Sequence, residues 1–141
     1  MRRKMFLCFL IFLSVSVSFT RAQDDSLQSN NDELVVLWTS DDPYLAERMV
    51  LMYTHTALKQ KWFNDVTLII WGPSAKMVSE NIKIQEKLKA MMDDGVKIQA
   101  CIACARAYNV VDELKDLGFE VRGMGKPLTD YLKSDAEVLT F

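Results

Sequence analysis

From Glu33 onward the chain alternates short apolar runs with stretches in which apolar positions return every three or four residues. Glu33–Trp38 (ELVVLW) has the continuous apolar character of a buried strand. Thr39, Ser40, Asp41 and Asp42 follow, then Pro43, whose missing N–H costs nothing at a first helical position. Leu45, Met49 and Met52, with Ala46, Val50 and Tyr53, mark an apolar stripe through about Lys61 that predicts one helix packed on a sheet.

The same alternation continues to the C-terminus. Val66–Trp71 (VTLIIW) predicts a second strand, ended by Gly72 and Pro73, with Ser74 near the start of a short helix to about Ser79. Ile84, Leu88 and Met91 share one side of Ile82–Asp94, which Gly95 closes. Val96–Ala100 (VKIQA) predicts a third strand and Cys101–Tyr108 a helix, after which Asn109 can take the left-handed terminal conformation. Val110–Leu117 is amphipathic and closed by Gly118; Phe119–Met124 predicts a fourth strand, Pro127–Lys133 a last helix and Glu137–Phe141 a fifth strand.

Strands joined by helices run parallel with right-handed crossovers, and a parallel sheet needs cover on both faces. The expected α/β fold is therefore a three-layer α/β/α sandwich with a five-stranded parallel sheet, formed by residues 33–141. Ligands of such sheets bind outside the carboxyl ends of the strands. The loops at those ends are Thr39–Asp42, Gly72–Ser74, Cys101–Cys104 and Gly125–Pro127.

Residues 1–32 break the pattern. Arg2, Arg3 and Lys4 precede a fifteen-residue apolar run, Met5–Phe19, closed by Thr20, Arg21 and Ala22. That is a secretory signal layout, and the run is short of the roughly 20 residues that span a bilayer. The expectation is export, periplasmic or secreted, with cleavage near Ala22 and no stable membrane anchor. Cys8 leaves with the peptide. Residues 23–32 (QDDSLQSNND) read as a polar spacer.

Composition narrows the chemistry. Half of the residues are apolar and 26% charged, with five Gly and three Pro, as in a globular domain. Seventeen Lys and Arg against nineteen Asp and Glu give a net charge of -2, without the basic excess that phosphate backbones require, so no nucleic-acid partner is expected. Three Cys and one His do not make a four-ligand zinc site, and no metal is expected.

What remains is Cys101-Ile102-Ala103-Cys104, at a strand-to-helix junction. A helix start favours an anion, so a thiol there ionises more readily, and two sulfurs three residues apart share a face. Cys104 could then attack a modified Cys101 and release its load as a disulfide. Competing readings are a small core residue, an inert disulfide and a thioredoxin-type motif, although the last normally follows an early strand. A flavin phosphate would meet two acids after the first strand, and His55 has no acid or nucleophile adjacent in sequence.

Val96-Lys97-Ile98 leading into the Cys pair, Tyr108-Asn109-Val110, and the terminus Ser134–Phe141 (SDAEVLTF) resemble the DsrE-like (DsrE/DsrF, YchN-type) sulfur-handling family over essentially all of 33–141. Trp71–Lys76 and Met124–Thr129 look like the family's other pocket loops. The resemblance implies the sandwich fold, trimers or hexamers, and a persulfide on the Cys after the third strand, by position Cys101. The chain departs from it with a second Cys, Cys104, and with Asn109 where Gly is usual.

The functional expectation is an exported sulfur carrier: Cys101 takes sulfane sulfur where solvent reaches it, and Cys104 helps discharge it. Thr39, Ser40, Gly72, Ser74, Gly125 and Lys126 surround the approach, no cofactor is needed, and the partners are sulfur donor and acceptor proteins or small sulfane-sulfur compounds. The rival is a non-enzymatic oligomeric protein that binds a small ligand in the same loops.

Overall fold

The computed structural model describes residues 32–141, so the expected signal segment and all of the spacer but Asp32 lie outside the described residues. Five strands, β1 (Glu33–Trp38), β2 (Asp65–Ile70), β3 (Lys97–Cys101), β4 (Glu120–Arg122) and β5 (Glu137–Thr140), form one sheet in the order β4-β3-β2-β1-β5. Every neighbouring pair is parallel.

Between β1 and β2 run α1 (Pro43–Leu45), a π-helical segment (Ala46–Val50) and α2 (Leu51–Lys59). Next come α3 (Pro73–Glu80) and α4 (Ile82–Asp93), then α5 (Ile102–Ala107) and α6 (Val111–Asp116), and α7 (Gly125–Lys133) precedes β5. Among the described residues no helix is long and apolar enough to cross a membrane.

The strand order dictates the layers. From β1 to β4 each crossover steps the same way, so right-handed connections put α1 to α6 on one face; the return from β4 to β5 reverses direction and puts α7 on the other. The buried residues divide accordingly. Leu34, Val36, Trp38, Leu68, Ile70, Ile98 and Ala100 pack with Ala46, Val50, Val78, Ile84, Leu88 and Leu114 on the first face. Val35, Ile69, Cys101 and Met124 form the smaller cluster, with Leu128 and Tyr131 of α7 packed against it. The three-layer sandwich is thus lopsided: among the described residues, the nine-residue helix α7, with no buried residue, forms the third layer.

Local chemistry sets the helix starts. Asp42 accepts from the Tyr44 and Leu45 N–H groups at 2.8 and 3.3 Å ahead of Pro43, and Asn81 accepts from Ile84 N–H at 3.2 Å. Asn109 ends α5 with a φ of 56°.

The first helix departs from the expected single stripe. Leu51 N–H bonds Ala46 O five residues back, and the buried Thr54 hydroxyl donates to Val50 O at 2.6 Å. This inserted turn moves the inward face to Ala46, Val50, Leu51, Thr54 and Ala57. Met49 and Met52, expected on the sheet, are 49% and 59% exposed. His55 gains an acid that sequence order hid: its Nε2 lies 2.6 Å from Asp94 Oδ2, which also binds Lys59 at 3.1 Å.

Candidate functional site

β3 begins and ends one residue later than its apolar run suggests, so Cys101 is the last strand residue and α5 begins at Ile102. Strand alternation then turns its side chain, like that of Gln99, toward the α7 face. There Cys101 is 4% exposed, packed with Val35, Ile69 and Met124. The expectation of a solvent-touched Cys101 is therefore corrected: α7 and the turn at Met124 cover it.

Cys104 is the thiol at the surface. It sits in the first turn of α5, is partly exposed, and packs against both core clusters at the carboxyl lip of the sheet. Both cysteines are free. Burial pushes the Cys104 thiol above its usual value, the nearby Gly72 backbone pulls it back, and the neighbouring Cys101 thiol raises it again. The anticipated ionising influence of the helix start is outweighed. α5 has only six residues, and desolvation dominates.

The thiolate is the nucleophile, so the reactivity of Cys104 toward an alkylating probe is expected to climb with pH and to keep climbing beyond the ordinary thiol pKa. Initial rates of iodoacetamide labelling across a pH series measure this. A plateau already reached at neutral pH would contradict it.

Topology explains why the pair lies here. β3 exits toward α5 on the first face and the adjacent β4 exits toward α7 on the second, which opens a crevice between their carboxyl ends. Cys101 and Arg122 are register partners across it. Arg122 Nε lies 3.1 Å from Glu120 Oε1, and Glu120 accepts from Gln99 Nε2 at 2.8 Å. Arg122 also borders a groove of about 360 Å³ with Asp130 and Tyr131. Composition alone gave no reason to single out Arg122; its register with Cys101 is the signal.

The other anticipated site residues divide. The Gly72 backbone is near enough to Cys104 to lower its pKa, and its φ of 69° with ψ of -138° is open to glycine and hostile to other residues. Its Cα faces the Thr39 carbonyl, since an added Cβ would come within 3.9 Å of that oxygen. Thr39 donates its hydroxyl to Phe141 O at 2.7 Å, pinning β1 to the end of β5. Ser40 accepts from Asp42 N–H at 3.0 Å and so shapes the loop before α1.

Ser74 does not line an approach. It is fully buried, donates to Trp38 O at 2.7 Å and accepts from Trp71 N–H at 3.0 Å, tying the exits of β1 and β2 together. Ser74→Ala is expected to lower unfolding free energy by about 1 kcal/mol, because Trp71 N–H also reaches Trp38 O and leaves neither group orphaned. Urea titration measures it. Gly125 and Lys126 belong to the first turn of α7 rather than to a loop, and Lys126 pairs with Asp130 at 2.5 Å. Among the described residues no group of three or more His, Cys, Asp or Glu could hold a metal.

A parallel α/β sandwich with two adjoining thiols at the carboxyl lip of its third strand defines a class of thiol-bearing open-sheet proteins. Within it, the chain belongs to the DsrE/DsrF-like family, whose profile matches residues 33–141. A solved structure of BT1422 from Bacteroides thetaiotaomicron, a conserved protein of unknown function, is 34% identical, with a TM-score of 0.77 over 81% of this chain and 98% of that one. The ychN protein from E. coli is 19% identical, with a TM-score of 0.56 over 77% and 99%, and shares the fold. No curated protein matches the chain. Family membership suggests a sulfur-related function.

Proposed function

We propose that this is a sulfur-transfer protein in which Cys104 is the port and Cys101 the store. The observation that carries the reading is the packing of two free thiols of unequal exposure in one cluster at the carboxyl lip of the sheet. Cys104 thiolate attacks the outer sulfur of a donor persulfide, the donor leaves as its thiolate, and Cys104 becomes the persulfide. Cys101 thiolate then takes that outer sulfur, regenerating Cys104 thiolate. In discharge, Cys104 attacks the inner sulfur of the Cys101 persulfide, expels hydrosulfide and forms the Cys101–Cys104 disulfide, which an external dithiol reduces. The sulfane sulfur gains the two electrons that the thiols lose.

Peptide mapping after polysulfide treatment tests the order of events. The expected result is added sulfur on Cys101 in the wild type and on Cys104 in Cys101→Ser. Burial of Cys101 favours a second reading, a small core residue beneath a single working thiol. Sulfur found on Cys104 alone in both proteins would establish that one instead.

The layout of residues 1–22 supports export. Tyr44, Met49, Met52 and Ile82 are large apolar side chains left 77%, 49%, 59% and 70% exposed, which supports burial between copies in a trimer or hexamer. Light scattering of the mature chain is expected to give a multiple of its own mass. A monomer across the accessible concentration range would overturn the assembly.

A further inference from the structure

Packing alone holds α7 over Cys101. Among the described residues its side-chain hydrogen bonds and its ion pair, Lys126 to Asp130, Thr129 to Gly125 O and Ser134 to Tyr131 O, all close within 125–134, and none reaches the sheet. On the opposite face the helices are tied in: Ser74 of α3 donates to Trp38 O, and Lys83 and Lys87 of α4 bind Glu47 in the π-helical segment. Leu128 and Tyr131 of α7 rest on the Val35, Ile69, Cys101 and Met124 cluster, and neither is fully buried. Few buried contacts and no polar tie mark a unit that opens before the rest of the fold does.

Met124, 1% exposed, packs in one cluster with Cys101 and stands between two glycines, Gly123 and Gly125. The closed structure needs neither glycine. Positive φ is confined to Gly72, Gly95 and Gly118 among the described glycines, and a Cβ added at Gly123 or Gly125 meets nothing within 4 Å. Glycine at such a position costs the closed form an ordering entropy that alanine would reduce. What the two glycines supply instead is backbone freedom on both sides of Met124.

We infer that Met124 and α7 form a hinged cover, which swings out on Gly123 and Gly125 and opens Cys101 from the α7 side. The hinge stands on geometry alone; its use rests on the sulfur-transfer reading. A sulfur stored on Cys101 needs space that close-packed Val35, Ile69 and Met124 do not leave, and the outward swing of Met124 provides it. Storage therefore waits on α7. Once it opens, Cys101 thiolate takes the outer sulfur, the S–S bond on Cys104 breaks as that on Cys101 forms, and Cys104 leaves as its thiolate with no net oxidation.

Iodoacetamide labelling of Cys101 in a Cys104→Ser chain, read by peptide mapping at a series of low urea concentrations, measures the opening. Its rate is expected to change little with urea, the mark of a local motion that exposes little surface. It is expected to fall about fivefold when Gly123→Ala and Gly125→Ala are added, because alanine narrows the freedom of the open form. Labelling that rises with urea as steeply as global unfolding, or that ignores the two alanines, would overturn the hinge. Hydrogen exchange in the wild type needs no variant: the Tyr131 and Leu132 amides of α7 are expected to exchange well before those of Leu88 and Met91 in α4, and simultaneous exchange would overturn it too. Polysulfide loading separates the two levels. With Cys104 intact, the two alanines are expected to slow the arrival of sulfur on Cys101 by the same factor, and arrival at wild-type speed would overturn the role of the hinge in storage. If α7 opens as expected while no sulfur reaches Cys101 in the wild type, the port-and-store reading is the part that fails.

Discussion

Cys104→Ser is expected to slow sulfur loading about 100-fold or more, whereas Cys101→Ser loads at close to the wild-type rate. A serine hydroxyl at neutral pH is almost wholly protonated and lacks the nucleophilicity of a thiolate. Losing Cys104 leaves only Cys101, 4% exposed behind Val35, Ile69 and Met124, so a donor would need the α7 side to open first. Cys101→Ser keeps the outer thiol and removes a neighbouring thiol that raises the Cys104 pKa. Its loading therefore stays near wild type, but it cannot form the internal disulfide and retains its sulfur. Intact-mass time courses with polysulfide, paired with hydrosulfide release, separate loading from discharge. Fast loading of Cys104→Ser would reverse the assignment of port and store.

How far the sequence disclosed this site depends on the kind of information each residue carries. The apolar runs and helical stripes carried the five parallel strands; burial on both faces marks β1, β2 and β3, whereas the edge strands β4 and β5 hold no buried residue. The thiol pair was legible from its spacing and from its place after the third strand. Its exposure was not, since that is settled by Met124 and Leu128, far along the chain, folding over the β3–β4 crevice. The same holds for Ser74, whose partners belong to β1 and to the turn after β2. The π-helical turn was hidden for another reason: Met49 and Met52 fit a regular helical period as well as Val50 and Leu51 do, and tertiary packing chose between them. His55 found Asp94 only through the packing of α2 beside α4.

Trp38 is where the scaffold beneath the site is most exposed to damage. It ends β1, is fully buried on the face covered by α1 to α6, and its carbonyl receives both the Ser74 hydroxyl and the Trp71 N–H. Trp38→Ala is expected to lower unfolding free energy by about 3–5 kcal/mol, the scale for removing a buried aromatic and leaving a cavity. Domains of this kind are stable by only about 5–15 kcal/mol, so the loss removes a large share of the total. The indole N–H has no hydrogen-bond partner among the described residues, so part of what Trp38 contributes through area is offset by an uncompensated donor. Trp38→Phe removes that donor, keeps most of the packing, and is expected to lose less than about 2 kcal/mol. Urea titration of both variants decides it. If Trp38→Phe costs as much as Trp38→Ala, the indole nitrogen is satisfied and the cavity argument is wrong; if Trp38→Ala costs under about 1 kcal/mol, the core does not close around this side chain.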